Sequence, residues 1–526
     1  MITLTGKKIS EGIAIGKLTF YKRDIKEIKR IYVKDVEKEI QRYKKAREKA
    51  IEANAAIFEM QKELLENQEY TDFIMKRILE EKLNAEYIVQ TSVEQLIRIS
   101  SHQQNNPIQG KEEDVRDVAI RVIRILSRSW KDRMLTDEPF VMAARDIYPS
   151  EALQFDKAKV LGFVTMYGTI NSHTAVLART KGIPAVIGLG ESLKEEYDGK
   201  TIIIDGYEGK IYIEPDYATL TKMRERKDAN LRHVRNLERL KGKENITQSG
   251  QRIDICANVG TREDIENVLR SDAGGIGLFR SEFLYMEMGS KLPSEEQLFQ
   301  VYKLAAESMG ANRVVVRIAD FGGDKMVESV DLGEQANPAI GLRGIRIMME
   351  KEELFLPQFR AILRASALGN VSIMFPMITS MEEVAAAKAL LEKAKKQLKD
   401  EKTAYNENIE IGVMIETPAA VMISGELARE VDFFSIGTND LLQLTLGMDR
   451  ENPKLDKYYN PYHPALMKMI RIVANNVHLE GKRISICGDL AADLSMTEFF
   501  VQIGIDELSV APHQVLGLRK KIREIQ

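Results

Sequence analysis

Val36, Ile40, Tyr43, Ala46, Ala50, Ala53 and Ile57 recur at spacings of three and four, which is one apolar stripe along a helix. After a polar break from Ser100 to Gly110, Val115, Val118, Val122 and Leu126 repeat the same spacing. No glycine stands between Gly16 and Gly110, and no proline precedes Pro107. Without those breakers the stretch favours long helices, and an α-helical subdomain is predicted over 21–140.

The texture then changes. Phe140–Ala144, Val160–Thr165, Ala185–Ile187 and Thr201–Asp205 are short apolar runs bounded by Gly, Pro or Asp, and they predict buried strands. A helix is expected from about Ser172 to Lys181 between two of them. Ile13–Phe20 is a further strand candidate ahead of the helices, so the helical part reads as an insertion into one α/β domain, residues 1–20 and 141–216. From Tyr217 to Glu244 the chain is highly charged, with Leu231, Val234, Leu237 and Leu240 on one face; a linker helix is predicted over 217–245.

Beyond it, eight apolar runs alternate with helical patterns: Arg252–Asn258, Gly275–Arg280, Val314–Ala319, Val371–Pro376, Ile409–Ile415, Phe433–Gly437, Arg483–Cys487 and Glu507–Ala511. Eight such alternations over 246–526 predict a (β/α)8 barrel, with an open doubly wound sheet as the alternative. The fold class is therefore α/β throughout.

Charge narrows the function. The 526 residues carry 76 Lys plus Arg against 79 Asp plus Glu, a net of −3, which argues against a nucleic-acid partner. No apolar run reaches the length of a membrane span, and no secretory leader is expected. Two cysteines, Cys256 and Cys487, make no disulfide framework, so a reducing, cytoplasmic location is expected.

The predicted strand ends are polar. They carry Arg280-Ser-Glu282, Arg317 before Asp320-Phe-Gly-Gly-Asp-Lys325, Glu416-Thr-Pro418, Gly437-Thr-Asn-Asp440 and Cys487-Gly-Asp489, with Arg343 and Arg450 in loops. Barrel enzymes work at the carboxyl ends of their strands. Several arginines there call for an anionic ligand, because the planar guanidinium pairs carboxylate and phosphate bidentately. Glu416 and Asp440, on adjacent strands, are hard oxygen ligands of the kind that hold Mg²⁺ beside a substrate phosphate. Any one of these charges would ordinarily be a solvated loop ion pair; five polar strand ends in one barrel favour a site for a small phosphorylated acid. Cys487 ends an apolar strand at the same mouth and is read evenly as a packed thiol or a chemical group, whereas Cys256 is assigned to packing. In the α/β domain, His173 follows Ser172, a natural N-cap, so its imidazole would stand at a helix start that favours an anion. No second ligand stands at zinc spacing from His173, and no nucleotide-binding G-x-x-x-x-G-K-[ST] occurs.

Taken in order, Ser10–Gly16, Ser172–Arg179, Gly275–Leu284, Asp320–Lys325, Ile436–Leu441 and Ile486–Asp489 resemble enzyme I of bacterial phosphotransferase systems, the phosphoenolpyruvate–protein phosphotransferases, over nearly the whole chain. The resemblance implies that His173 is phosphorylated by phosphoenolpyruvate, that Arg280, Arg317, Arg343, Asn439 and Arg450 bind the substrate, that Glu416 and Asp440 bind Mg²⁺, and that Cys487 protonates the enolate to give pyruvate. It also implies a helical subdomain that docks the carrier protein HPr and a barrel that forms a homodimer.

There are departures from the family pattern. Tyr148 replaces the usual hydroxyl residue in Asp146–Ser150, Tyr167 replaces the first glycine before the histidine motif, and Gln61 replaces a histidine in a shortened helical subdomain. The chain also ends at Gln526, soon after the eighth strand, from which incomplete barrel packing or an incomplete dimer interface is expected. Two rivals stand beside the phosphotransferase: a dikinase-related enzyme, for which no nucleotide domain is left over, and a regulatory paralogue that binds phosphoenolpyruvate without turnover.

Overall fold

The computed structural model describes residues 1–21, 28–52, 65, 67–100, 112–127, 138–145, 147, 159–168, 175, 178, 182–288, 292–322, 330, 332–333, 335, 337–450 and 455–526. They form two compact units, Met1–His233 and Val234–Gln526.

The first unit is built on an eight-stranded sheet. Its strands are β1 (Ile2–Thr5), β2 (Lys7–Ser10), β3 (Ile13–Phe20), β4 (Phe140–Ala144), β5 (Val160–Thr165), β6 (Ala185–Ile187), β7 (Thr201–Asp205) and β8 (Lys210–Ile213). Their order is β1-β8-β7-β3-β4-β5-β6-β2. The central strands β3 to β6 run parallel, and β7, β8, β1 and β2 add antiparallel edges. Between β3 and β4 come α1 (Val36–Glu52), α2 (Gln68–Glu81), α3 (Ala85–Ser100) and α4 (Glu112–Leu126). These close on their own core of Tyr43, Ala46, Ala50, Ile74, Ile78, Ile88, Val118 and Val122. Ala53, Ile57 and Gln61 lie outside the described residues, as do Asp146, Tyr148 and His173. Of the helix expected at 172–181, Ala175 and Ala178 are described, both helical and buried.

Helix α5 (Tyr217–Glu238) follows, shorter than the stretch to Glu244 that its charge pattern suggests. The chain turns instead at Leu240 to Lys243, with Gly242 at φ +72°, and the Leu240 carbonyl accepts both the Lys243 N–H at 3.0 Å and Arg519 Nη1 at 2.9 Å. Leu231 and Val234 are exposed on this helix.

The second unit is the closed parallel barrel that the alternation predicts. Its strands are β9 (Asp254–Val259), β10 (Ile276–Arg280), β11 (Val314–Arg317), β12 (Val371–Phe375), β13 (Ile411–Ile415), β14 (Phe433–Gly437), β15 (Arg483–Cys487) and β16 (Glu507–Val510). The open-sheet alternative is overturned, since β16 returns to β9 with Glu507 opposite Asp254 and Val510 opposite Ala257. Incomplete barrel packing is also corrected: the final helix, Val515–Glu524, buries Leu518 and Ile522 in the same core as Ile253 and Ile255. Leu278, Val315, Met374, Met414, Phe433 and Cys487 form a separate buried cluster inside the barrel. Packing at two layers, inside the barrel and under the helices, fixes where each strand ends and so where each strand-end side chain is delivered. Among the described residues no helix is long and apolar enough to cross a membrane.

Candidate active site

The carboxyl ends of β10, β11, β13, β14 and β15 deliver charged groups to one mouth. Arg280, the last residue of β10, is half-buried, and its Nε donates to Glu282 Oε1 at 3.3 Å. Arg317, the last residue of β11, is buried; its Nη2 makes a short ion pair with the same Glu282 oxygen and its Nη1 contacts Met414 Sδ at 3.4 Å. Arg317 Nε is buried and donates to nothing among the described residues, which leaves one N–H free to bind a ligand. Arg343 is buried too: Nη2 reaches Asp320 Oδ2 at 2.8 Å and Nε reaches Oδ1 at 3.4 Å, a bidentate pair.

Two carboxylates face these cations from the other side. Glu416, just beyond β13, is fully buried, and its Oε1 accepts the Met377 N–H at 2.7 Å. Met377 adopts φ +56°, a conformation that costs a non-glycine residue about 1 kcal/mol or more and aims this N–H at the carboxylate. Asp440, in the first turn of the helix Thr438–Leu446, is also buried. Its Oδ1 lies 3.7 Å from Arg343 Nη2 and 3.9 Å from Arg450 Nη1, yet has no hydrogen-bond partner among the described residues.

Burial alone would make the Arg317 and Arg343 guanidiniums easier to deprotonate. For Arg317 the fields of Glu282, Asp320, Glu416 and Asp440 outweigh that cost, and for Arg343 those of Asp320, Asp440 and Glu416 do, so both are held above the ordinary arginine range.

Cys487, the last residue of β15, lies beside this group. Burial pushes its thiol up to about 11, against the opposing pull of the Ser435 hydroxyl 3.3 Å away. At neutral pH it is a thiol, with its proton directed to the Ile436 carbonyl at 3.5 Å. Gly488 follows at φ +98°; a Cβ there would stand 2.5 Å from Thr438 Oγ1 and 3.0 Å from Asn439 Oδ1, so a side chain is excluded. That close approach lets Asn439 Oδ1 accept the Asp489 N–H at 3.1 Å, tying the β14 and β15 loops together.

The structure thus brings together Arg280, Arg317, Arg343, Asn439, Arg450, Glu416, Asp440 and Cys487. His173, in the other unit, lies outside the described residues. Tyr167 is described: its hydroxyl donates to Glu191 Oε1 at 2.7 Å and its ring lies under the Arg145 guanidinium. Glu282 and Asp320, the buried partners of three of the arginines, have no role in the sequence reading. Their signal was present, as acidic residues two or three positions past an arginine at a strand end, but a solvated loop carboxylate gives the same pattern.

Among the described residues no three His, Cys, Asp or Glu side chains converge as a metal cage. Glu416 and Asp440 still fit a hard divalent cation, for the buried Oδ1 of Asp440 lacks a proton donor, and Mg²⁺ needs only one or two carboxylates when substrate and water supply its other ligands.

Comparison with known proteins then places the chain. It is 38% identical over 472 residues to the "Phosphoenolpyruvate-protein phosphotransferase" of Staphylococcus carnosus, covering 90% of this chain and 82% of that relative. It is 35% identical over 540 residues to the protein of the same name from Haemophilus influenzae, covering 99% of this chain and 94% of the relative. The chain belongs to the phosphoenolpyruvate-protein phosphotransferase family. The three family models that it matches follow the order of its parts: "PEP-utilising enzyme, N-terminal" over residues 5–108, "PEP-utilising enzyme, mobile domain" over 136–209 and "PEP-utilising enzyme, PEP-binding domain" over 234–526. In this phosphotransferase the third match coincides with the barrel and its charged mouth, and the second contains His173.

Proposed function

We propose that the chain transfers the phosphoryl group of phosphoenolpyruvate to its own His173 and then to a histidine of HPr, releasing pyruvate, as the first step of a sugar phosphotransferase system. The observation that supports this most is the mouth itself, where four arginines and two buried carboxylates face one another as a small, multiply charged anion and a divalent cation would require.

In this reading Arg280, Arg317, Arg343 and Arg450 hold the phosphate and carboxylate of the substrate, with Asn439 beside them, and Glu416 and Asp440 hold Mg²⁺. When bound, the cation neutralises charge on the phosphoryl oxygens. The arginines fix the phosphorus for in-line attack by neutral imidazole, and such positioning supplies much of the rate in phosphoryl transfer. The P–O bond to the enolate breaks as the N–P bond to His173 forms. Cys487 then gives its thiol proton to the enolate carbon: the S–H bond breaks, a C–H bond forms, and thiolate and pyruvate remain. A thiol held up to about 11 keeps its proton at neutral pH until the enolate takes it. The helical subdomain is the proposed HPr dock, the barrel the proposed dimerisation domain, and the cytoplasm the proposed location.

The test is to incubate the purified chain and Mg²⁺ with phosphoenolpyruvate labelled at phosphorus, beside His173→Ala. Acid-labile, base-stable label is expected on the wild type alone, discharged when HPr is added. Phosphoenolpyruvate binding without label would favour the regulatory paralogue instead.

A further inference from the structure

Two carboxylates in the mouth are fully buried behind arginines. Glu282 accepts from both Arg280 and Arg317, and Asp320 holds Arg343 bidentately. Both reach further than their immediate partners, for Glu282 and Asp320 act together on Arg317, and Asp320 acts on Arg343 alongside Asp440 and Glu416. Four guanidiniums, of Arg280, Arg317, Arg343 and Arg450, are thus interleaved with the carboxylates of Glu282, Asp320, Glu416 and Asp440.

Four carboxylates among four arginines are not what anion binding alone would produce. Buried arginines facing only an incoming phosphate would bind almost any anion, and would bind it without a cation. Two carboxylates committed permanently to arginines keep the guanidiniums charged and aimed while removing their net field. The remaining two then retain enough negative field to attract a cation. We propose that Glu282 and Asp320 are charge-setting residues, which fix the balance between the anion and cation affinities of the mouth without ligating either.

This rests on the mouth being the site of the phosphoenolpyruvate reaction, and the prediction has a signature that disrupted packing would not give. Removing one negative charge from a fixed site should strengthen anion binding and weaken cation binding. Placement of the arginines alone would make both fall. Glu282→Gln and Asp320→Asn keep the acceptor oxygen and nearly the same volume. The full chain and each variant would be titrated calorimetrically with oxalate alone in a metal chelator, and with Mg²⁺ alone. One unit of charge within the mouth is expected to tighten oxalate about tenfold and to weaken Mg²⁺ about tenfold in each variant. The two substitutions lie on different arginine pairs, so a variant that fails to fold leaves the other as the test. A fall in both affinities, or no change in either, would overturn the proposal while leaving the site in place. A wild-type chain that binds oxalate neither alone nor with Mg²⁺ would overturn the reading of the mouth itself, and this inference with it.

Discussion

Glu507 opens β16 from inside the barrel, away from the mouth, and is nearly inaccessible to solvent. Room for it comes from Gly277, where a Cβ would stand 2.5 Å from Glu507 Oε1. Burial raises its carboxyl above the usual range; Arg313, Arg483 and the Cys256 thiol oppose that rise, and Asp254 adds to it. A carboxyl whose folded pKa exceeds its unfolded one binds the proton more tightly when folded. Its stabilising contribution is complete below the unfolded value, about 4.3, and is lost as pH rises through the folded value. Glu507→Gln removes that dependence. Denaturant midpoints measured from about pH 4 to about pH 8 should therefore converge at the acid end, with the variant ahead toward neutrality; parallel curves would contradict the raised carboxyl. Such a group is hard to find in sequence. Glu507 sits next to Asp506 at the start of an apolar run, where a glutamate reads as a strand boundary, and only the barrel's closure turns it inward.

At the scale of elements, legibility followed burial. The barrel strands and β3 to β7 are covered on both faces, so their sequences are nearly unbroken apolar runs that mark themselves. The edge strands β1 and β2, and β8 beside β1, carry no such signal. Ile2–Thr5 is largely exposed and alternates, Lys7–Ser10 is half lysine, and Lys210–Ile213 buries every second residue over only four positions. Such segments become strands because a neighbour offers hydrogen bonds, as when β8 pairs with both β1 and β7, and no local pattern reports that. The strand pairs also impose close fits. Gly412 of β13 lies opposite Phe433 of β14, and a Cβ at 412 would come within 2.3 Å of the Phe433 ring, over which the Arg313 guanidinium stacks at 3.9 Å. Gly412→Ala should cost about 1–3 kcal/mol through overpacking, read as a lower denaturant midpoint with an unchanged slope. A wild-type midpoint would show that ring and guanidinium can retreat together.

At the scale of the whole molecule, the passage into the barrel is fastened within each unit separately. In the first unit, the early part of α5 buries Met223 with Ile13 and Ile203, and Arg226 pairs with Asp205 Oδ2 at 2.6 Å. In the second, the buried Arg519 guanidinium gathers Asn245 Oδ1, the Leu240 carbonyl and both the carboxylate and carbonyl of Asp272. Arg519→Ala would leave several of these groups without donors, at about 2–4 kcal/mol of barrel stability, and should expose residues 239–245 to limited proteolysis. Unchanged protection of that segment would show that Arg523, which donates to the Glu244 carbonyl, holds it without help. A highly charged helix with Leu231 and Val234 exposed offers little to bury, and the division between the two units falls within it, between His233 and Val234.

Closure of the barrel also has a meaning in time. Asn258 on the first barrel strand shares its side-chain hydrogen bonds with Ser509 on the last, 251 residues later. A ribosome adding roughly 5–20 residues each second leaves the first strand without that neighbour for roughly 13–50 s after it emerges. Throughout that interval any sheet the earlier strands form has two unpaired edges. An unpaired edge is a template for pairing with another chain, so this half is open to edge-to-edge association until nearly all of it has been made.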